Sequence, residues 1–150
     1  MMNYELQVVT VPVTDVDRAA AFYTRQAGFR LDVDYHPAAG FRVVQLTPPG
    51  SACSIQIGSG LTDAAPGSAR GTYLVVADIE AARRELTGRG VEVSDIRHKA
   101  PADGWKGGWQ AGADPGRRDY ASLAGFADPD GNTWVLQEIG FRPGTARRAD

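Results

Sequence analysis

The sequence predicts an α+β fold made of two tandem βαβββ modules. Three observations point there. A β-rich run leading into a capped amphipathic helix occurs twice, at Asp15 and again at Asp78. The two copies align along the chain at a nearly constant offset. Each copy closes on a turn followed by an alternating strand, the second running from Phe126 through Asp128-Pro129-Asp130-Gly131-Asn132 to Glu138.

Residues 5–13 are β-rich and alternate loosely, which reads as a strand. Pro12 lacks an amide donor and belongs at an edge or a strand end. Val16, Ala19, Ala20, Tyr23 and Ala27 then share one helical face. Asp15 caps that helix, with Thr14 the other candidate, and Gly28 ends it in left-handed geometry. Strands follow at about 29–35, 40–47 and 52–58, with Pro48-Pro49-Gly50-Ser51 turning between the last two. Residues 60–70, rich in Gly, Ala, Ser and Pro, read as a linker. A strand over 71–77 then leads into a helix opened by Asp78, with Ile79, Ala82 and Leu86 on its inner face. Gly90 ends it, and Val91-Glu92-Val93 begins a new strand. Residues 99–118 form a long loop holding Trp105 and Trp109. Residues 119–127 and 133–139 make the final hairpin. One domain spans 1–150: module one 5–59, linker 60–70, module two 71–140, tail 141–150.

An offset of 63 places Val13-Thr14-Asp15-Val16 on Val76-Ala77-Asp78-Ile79, and Tyr23 on Leu86. At 62, Gly28 meets Gly90 and His36 meets His98. At the last hairpin it is 81, pairing Ser51 with Asn132 and Gln56 with Gln137. The added residues are the tryptophan-bearing loop.

Composition narrows the partners. The 150 residues are 43% hydrophobic and 23% charged, with net charge −2 and no basic stripe. Nucleic acid and anionic membrane are not expected partners. No apolar run suits a membrane span, and no signal-peptide pattern opens the chain. A single cysteine, Cys53, forms no intrachain disulfide, so the expected location is the cytoplasm.

The opening Val-x-Val-x-Asp-Val-x-x-Ala-x-x-Phe-Tyr (Val11 to Tyr23), the Asp128-Pro129-Asp130-Gly131-Asn132 turn and the duplication together resemble the vicinal oxygen chelate superfamily, the glyoxalase/bleomycin-resistance/extradiol-dioxygenase group. The resemblance covers about residues 5–140. It implies two modules forming an incompletely closed, U-shaped barrel around one inter-module cavity. It also leaves room for a homodimer.

Metal-using members of that group hold a divalent ion with one residue from the first and the last strand of each module. Counted from the capping aspartates and from Asp128, those positions here are Val8, Ser54, Gly71 and Val135. Valine and glycine side chains cannot ligate, and a lone serine hydroxyl is a poor ligand. The expectation is therefore no metal and no cofactor. His36 and His98, the two histidines, read as solvated or hydrogen-bonded loop-end residues, with His98 also a candidate polar group at the cavity mouth.

Strand alternation gives the lining. With Val8 toward the cavity, so are Thr10, Ser54, Gln56, Tyr73, Val135 and Gln137, while Cys53, Ile55, Ile57, Trp134 and Leu136 turn to the helices. Cys53 is expected to be buried. Gln56 and Gln137 read equally as cross-strand structural groups, and Tyr73 as core filler. Trp105 and Trp109 form either a lid or a loop anchor. Among Asp32, Asp34, His36, His98, Asp119 and Glu138 no pair is spaced as a catalytic dyad, and most are expected at the surface.

The functional expectation is a metal-independent protein that binds a small organic ligand through Thr10, Ser54, Gln56, Tyr73, Trp105, Trp109, Val135 and Gln137, sequestering it in the manner of bleomycin-resistance proteins. The alternative is a metal-free acid–base enzyme of lyase, isomerase or cyclase type, with His98 as its base.

Overall fold

A computed structural model describes residues 1–99 and 104–144. Residues 100–103 of the long loop and 145–150 of the tail, including Arg147 and Arg148, lie outside the described residues. The chain divides into two compact units. Unit 1 is Met1–Arg70 with Ala127–Asn132, and unit 2 is Gly71–Phe126 with Thr133–Asp150.

Unit 1 contains β1 (Val8–Thr10), α1 (Val16–Ala21), β2 (Arg30–Ala38), β3 (Phe41–Thr47) and β4 (Ser54–Ser59). The sheet order is β1-β4-β3-β2, with β1 parallel to β4 and the other pairs antiparallel. Val44, Leu46, Ile55 and Ile57 are buried on one face, as period-two alternation requires, together with Val16, Ala19, Phe22 and Tyr23 of the helix. Asp15 caps α1 by accepting from the Arg18 amide at 3.0 Å. The helix then widens into a π-helical turn over Phe22–Gln26, closed by the Ala27 amide on the Phe22 carbonyl. That wider turn lets the consecutive Phe22 and Tyr23 both reach the core. Gly28 follows at φ 78°, as expected for a left-handed stop.

Strand β1 is shorter than the 5–13 run suggests. Pro12 has no amide to donate, and its carbonyl accepts instead from the Gly67 amide at 3.1 Å and from Asn132 Nδ2 at 2.8 Å. The segment read as a linker is thus tied into unit 1 at Gly67. There φ is +80°, and a Cβ would lie 2.2 Å from the Asp130 carbonyl oxygen, so only glycine fits. Strand β2 is longer than expected. It runs through Pro37, tolerated because β2 is an edge strand, and the register shifts between Leu31 and Val33.

Unit 2 contains β5 (Thr72–Val76), α2 (Ile79–Gly88), β6 (Arg97–His98), β7 (Gln110–Ala111), β8 (Ser122–Ala127) and β9 (Thr133–Glu138). Its order is β5-β9-β8-β6-β7, with β5 parallel to β9. Asp78 caps α2 through the Ala81 amide at 3.0 Å. Trp134 stacks on Phe126 with centroids 6.3 Å apart, and Leu136 and Glu138 are buried on the same side of β9.

The strand expected at Val91–Val93 does not form. Arg83 takes the carbonyls of Val93 and Ser94, and the Ser94 hydroxyl, rather than a backbone carbonyl, accepts from the Gly125 amide. A ladder needs those carbonyls, so although the Ser94 amide donates to the Gly125 carbonyl of β8 at 2.8 Å, ladder pairing to β8 begins at Arg97–His98. The repeat offset also needs adjustment. Val8 pairs with Ser54 and Tyr73 with Val135, so at the first strands the offset is 65 rather than 63. Module one carries two more residues between strand and cap than module two, and Pro12 is one of them. The change is even, so the face of each residue is unaltered.

The α+β class and the two open sheets agree with the expected two-module fold. Neither sheet closes into a barrel. Among the described residues no helix is long and apolar enough to cross a membrane.

Candidate functional site

Each sheet has a face turned away from its buried side, and of the expected binding residues those on strands lie on these faces. In unit 1 Thr10 pairs with Gln56 across β1 and β4, and Gln56 pairs with Gln45 across β4 and β3. Gln56 Nε2 donates to Thr10 Oγ1 at 2.7 Å. Two residues along, Ser54 Oγ lies 2.6 Å from Thr47 Oγ1, and Thr47 in turn donates to Asp32 Oδ2. Thr47 and Ser54 are buried. Asp32 is held below its ordinary pKa by the Thr47 hydroxyl and by Arg30, so it is a carboxylate. The Asp32–Thr47 link escapes a sequence reading because the β2 irregularity, not simple alternation, brings Asp32 over Thr47.

In unit 2 Tyr73 pairs with Val135 and Val75 with Gln137. Tyr73 and Val75 are 55% and 60% exposed, so Tyr73 is not core filler. Gln137 Nε2 donates to the Tyr120 carbonyl at 3.2 Å. Trp105 and Trp109 are exposed, and Trp109 lies under Arg97 and Lys99 at 4.2 and 4.8 Å from its ring centroid. Those cation–π contacts attach Trp109 to β6.

His98 lies elsewhere. It pairs with Ser122, on the buried side of β8, is 5% exposed, and has Nδ1 2.7 Å from the Gly112 carbonyl. His36 lies on the outer edge of unit 1, lining an open depression of about 370 Å³ with Asp17 and Arg42. Arg42 bridges Asp34 and Asp17 and holds Asp34 below its usual range. A smaller cavity of about 240 Å³ lies between Thr10–Thr14 and the segment from Gly58 to Pro66. Cys53 is half-buried just ahead of β4, not enclosed as expected, because the strand begins only at Ser54.

Two ion-pair groups of unit 2 were not legible in the sequence. Glu138, expected with the surface charges, is fully buried and accepts from Arg117 at 2.6 and 2.8 Å. Asp114 is also fully buried, and it accepts from the Arg118 side chain and amide. Arg118 lowers the Asp114 pKa to about 2, against an ordinary 3.8. A carboxyl whose folded pKa is depressed stabilises the fold above its unfolded pKa, and that contribution is lost as pH falls through the folded value. Because the Arg118 side chain is 47% exposed, the loss is screened. Urea unfolding between about pH 5 and pH 2 is expected to show about 1–2 kcal/mol lost from this site. Asp114→Asn should be less stable at neutral pH and flatter over that range.

The metal positions of the resembled family do not fit an ion. Val8, Ser54 and Val135 stand at three of them, and strand pairing puts Tyr73 where counting puts Gly71. None supplies a His nitrogen, carboxylate or thiolate. Among the described residues there is no group of three or more His, Cys, Asp or Glu able to hold a metal ion.

A sequence model of the glyoxalase/bleomycin resistance protein/dioxygenase superfamily matches residues 5–136. The chain belongs to this superfamily. Solved members of similar structure include TnmS3, an antibiotic binding protein from Streptomyces sp. CB03234. It is 30% identical with a TM-score of 0.69, over 92% of this chain and 98% of that one. A glyoxalase/bleomycin resistance protein from the same organism is 29% identical, with a TM-score of 0.66, over 89% and 100% of the two chains. A superfamily member from Sphaerobacter thermophilus DSM 20745 is 26% identical, with a TM-score of 0.69, over 93% and 100%. A search of curated proteins gave no match. As a superfamily member the chain has the expected fold, while its donor set departs from that of the metal-using members.

Proposed function

We propose that this superfamily member binds a small, largely apolar organic molecule on the exposed sheet face of a unit, without a metal ion, and sequesters it. One observation carries the reading. In unit 2 the face of β5 and β9 leaves apolar and aromatic surface uncovered beside the Gln137 amide. Tyr73 and Val75 are more than half exposed, with Val135 and Gln137 between exposed and buried beside them. In unit 1 the corresponding face carries Thr10 and Gln56, with Ser54 buried beside them. Uncovered aromatic surface with sparse polar groups is the composition of a small-molecule site. Similarity to an antibiotic-binding protein supports the same class of ligand. Trp105 and Trp109 are proposed to add stacking surface from their loop. The acid–base alternative rests on His98, and its buried ring and its bond to Gly112 do not favour it over binding.

The test is a thermal-shift screen of the whole chain against aromatic metabolites and antibiotics, followed by calorimetry on the compounds that raise Tm. Binding is expected to persist after exhaustive chelation. Tyr73→Ala should weaken it about tenfold, as loss of one aromatic contact surface implies. Absence of a shift across the screen, or affinity abolished by chelator and restored by a divalent ion, defeats the proposal.

A further inference from the structure

We propose that the sheet face of unit 1 receives its ligand through a hydrogen-bond donor, an O–H or N–H, and that Asp32 sets this preference by fixing the Ser54 hydroxyl through Thr47. The inference rests on the binding reading above and specifies the chemistry of its ligand.

The argument is a count of protons. The Asp32 carboxylate, kept ionised by Thr47 and Arg30, can only accept. Thr47 has one hydroxyl proton, and it is committed to Asp32. The 2.6 Å contact between Thr47 and Ser54 therefore has one permitted direction, with Ser54 donating and Thr47 accepting. Ser54 is left with lone pairs and no proton. Any polar ligand group that meets its oxygen must be a donor. The Gln56–Thr10 pair has no such anchor, because an amide and a hydroxyl can each donate and accept. Ser54 is 6% exposed, beside Val8 of β1 and two residues from Gln56.

Asp32→Asn makes the direction reversible in a defined way. Arg30 Nε donates to Asp32 Oδ1 at 2.8 Å, so the asparagine carbonyl oxygen stays toward Arg30 and its NH₂ turns to Thr47. Thr47 then accepts from the amide and donates to Ser54. Ser54 gains a free proton and becomes a donor to the ligand.

The experiment is calorimetric titration of the whole chain with 2-naphthol and 2-methoxynaphthalene, which differ in whether the oxygen donates. The wild type is expected to prefer 2-naphthol by about fivefold or more, the effect of one hydrogen bond. Thr47→Val should bring the ratio near one, and Asp32→Asn should invert it. A structural role alone would weaken both compounds and leave the ratio unchanged. Equal binding of the two compounds by the wild type overturns this inference and leaves the binding reading intact. Failure of both to bind counts against both proposals. Should Asp32→Asn fail to fold, a neutron structure of the wild type decides. Deuterium on Ser54 directed at Thr47, and on Thr47 directed at Asp32, supports the chain. A Ser54 deuterium pointing away from Thr47 overturns it.

Discussion

Glu138→Ala is expected to cost about 3–5 kcal/mol of unfolding free energy, the largest effect of any single polar substitution in unit 2. Glu138 is fully buried. Its carboxylate accepts from Arg117 at 2.6 and 2.8 Å and from the Ile79 amide at the first turn of α2, at 2.9 Å. Arg117 also reaches Asp78 and Glu80 and stacks on Phe141 at 3.6 Å. Alanine leaves the Arg117 guanidinium, 18% exposed, facing a hole, and leaves the Ile79 amide without its acceptor. Breaking one side of a buried pair costs more than removing both partners. Glu138→Leu combined with Arg117→Met should therefore recover most of the loss. Urea denaturation followed by tryptophan fluorescence measures both. A single-variant loss below about 1 kcal/mol would show that water replaces the glutamate and that the Arg117–Glu138 pair is weak.

Asp128→Ala should have the second-largest effect, about 3–4 kcal/mol, in unit 1. Asp128 Oδ1 accepts from the amides of Asp130 and Asn132, and Oδ2 accepts from Tyr23 Oη and Asn132 Nδ2, all at 2.8–3.0 Å. Asn132 then connects onward to the Pro12 carbonyl and the Ala69 amide. Removing the carboxylate strands four donors at a buried site. Tyr23→Phe removes one donor and leaves Asp128 with three, so its cost should be only about 1 kcal/mol. Because the two groups share a bond, the double variant should be less damaging than the sum. Equal losses for the two single variants would mean that the aspartate acts only through the tyrosine.

The Asp128–Asn132 turn identified the family from sequence, but its role in packing could not be read there. Turn chemistry is local, so Asp-Pro-Asp-Gly-Asn announced itself. That its aspartate meets Tyr23, 105 positions earlier, depends on the tertiary path of the chain. The same division holds at the site. Alternation placed Thr10, Ser54 and Gln56 on one face and Ile55 and Ile57 on the other, because side chains in a strand alternate regardless of register. Asp32 could not be placed, since an irregularity in β2 breaks that alternation. Val91–Val93 had a strand's composition but not its hydrogen bonds, because Arg83 competes for the carbonyls. Glu138 has the parity of Trp134 and Leu136 on β9. That this face is fully buried there depends on Arg117, from a loop without periodicity.

What the sequence determined by itself is whatever repeats or alternates: two modules that each open on a strand and a capped helix, the capping aspartates Asp15 and Asp78, and the face of residues on regular strands. These follow from backbone periods of 2 and 3.6 and from local capping, which neighbouring residues suffice to set. What only the tertiary structure decided is which charges are buried and which hydroxyls are chained. Ion pairs and hydrogen bonds form between residues far apart in the chain, and a bond's direction is fixed only when its anchoring group, here Asp32, is in place.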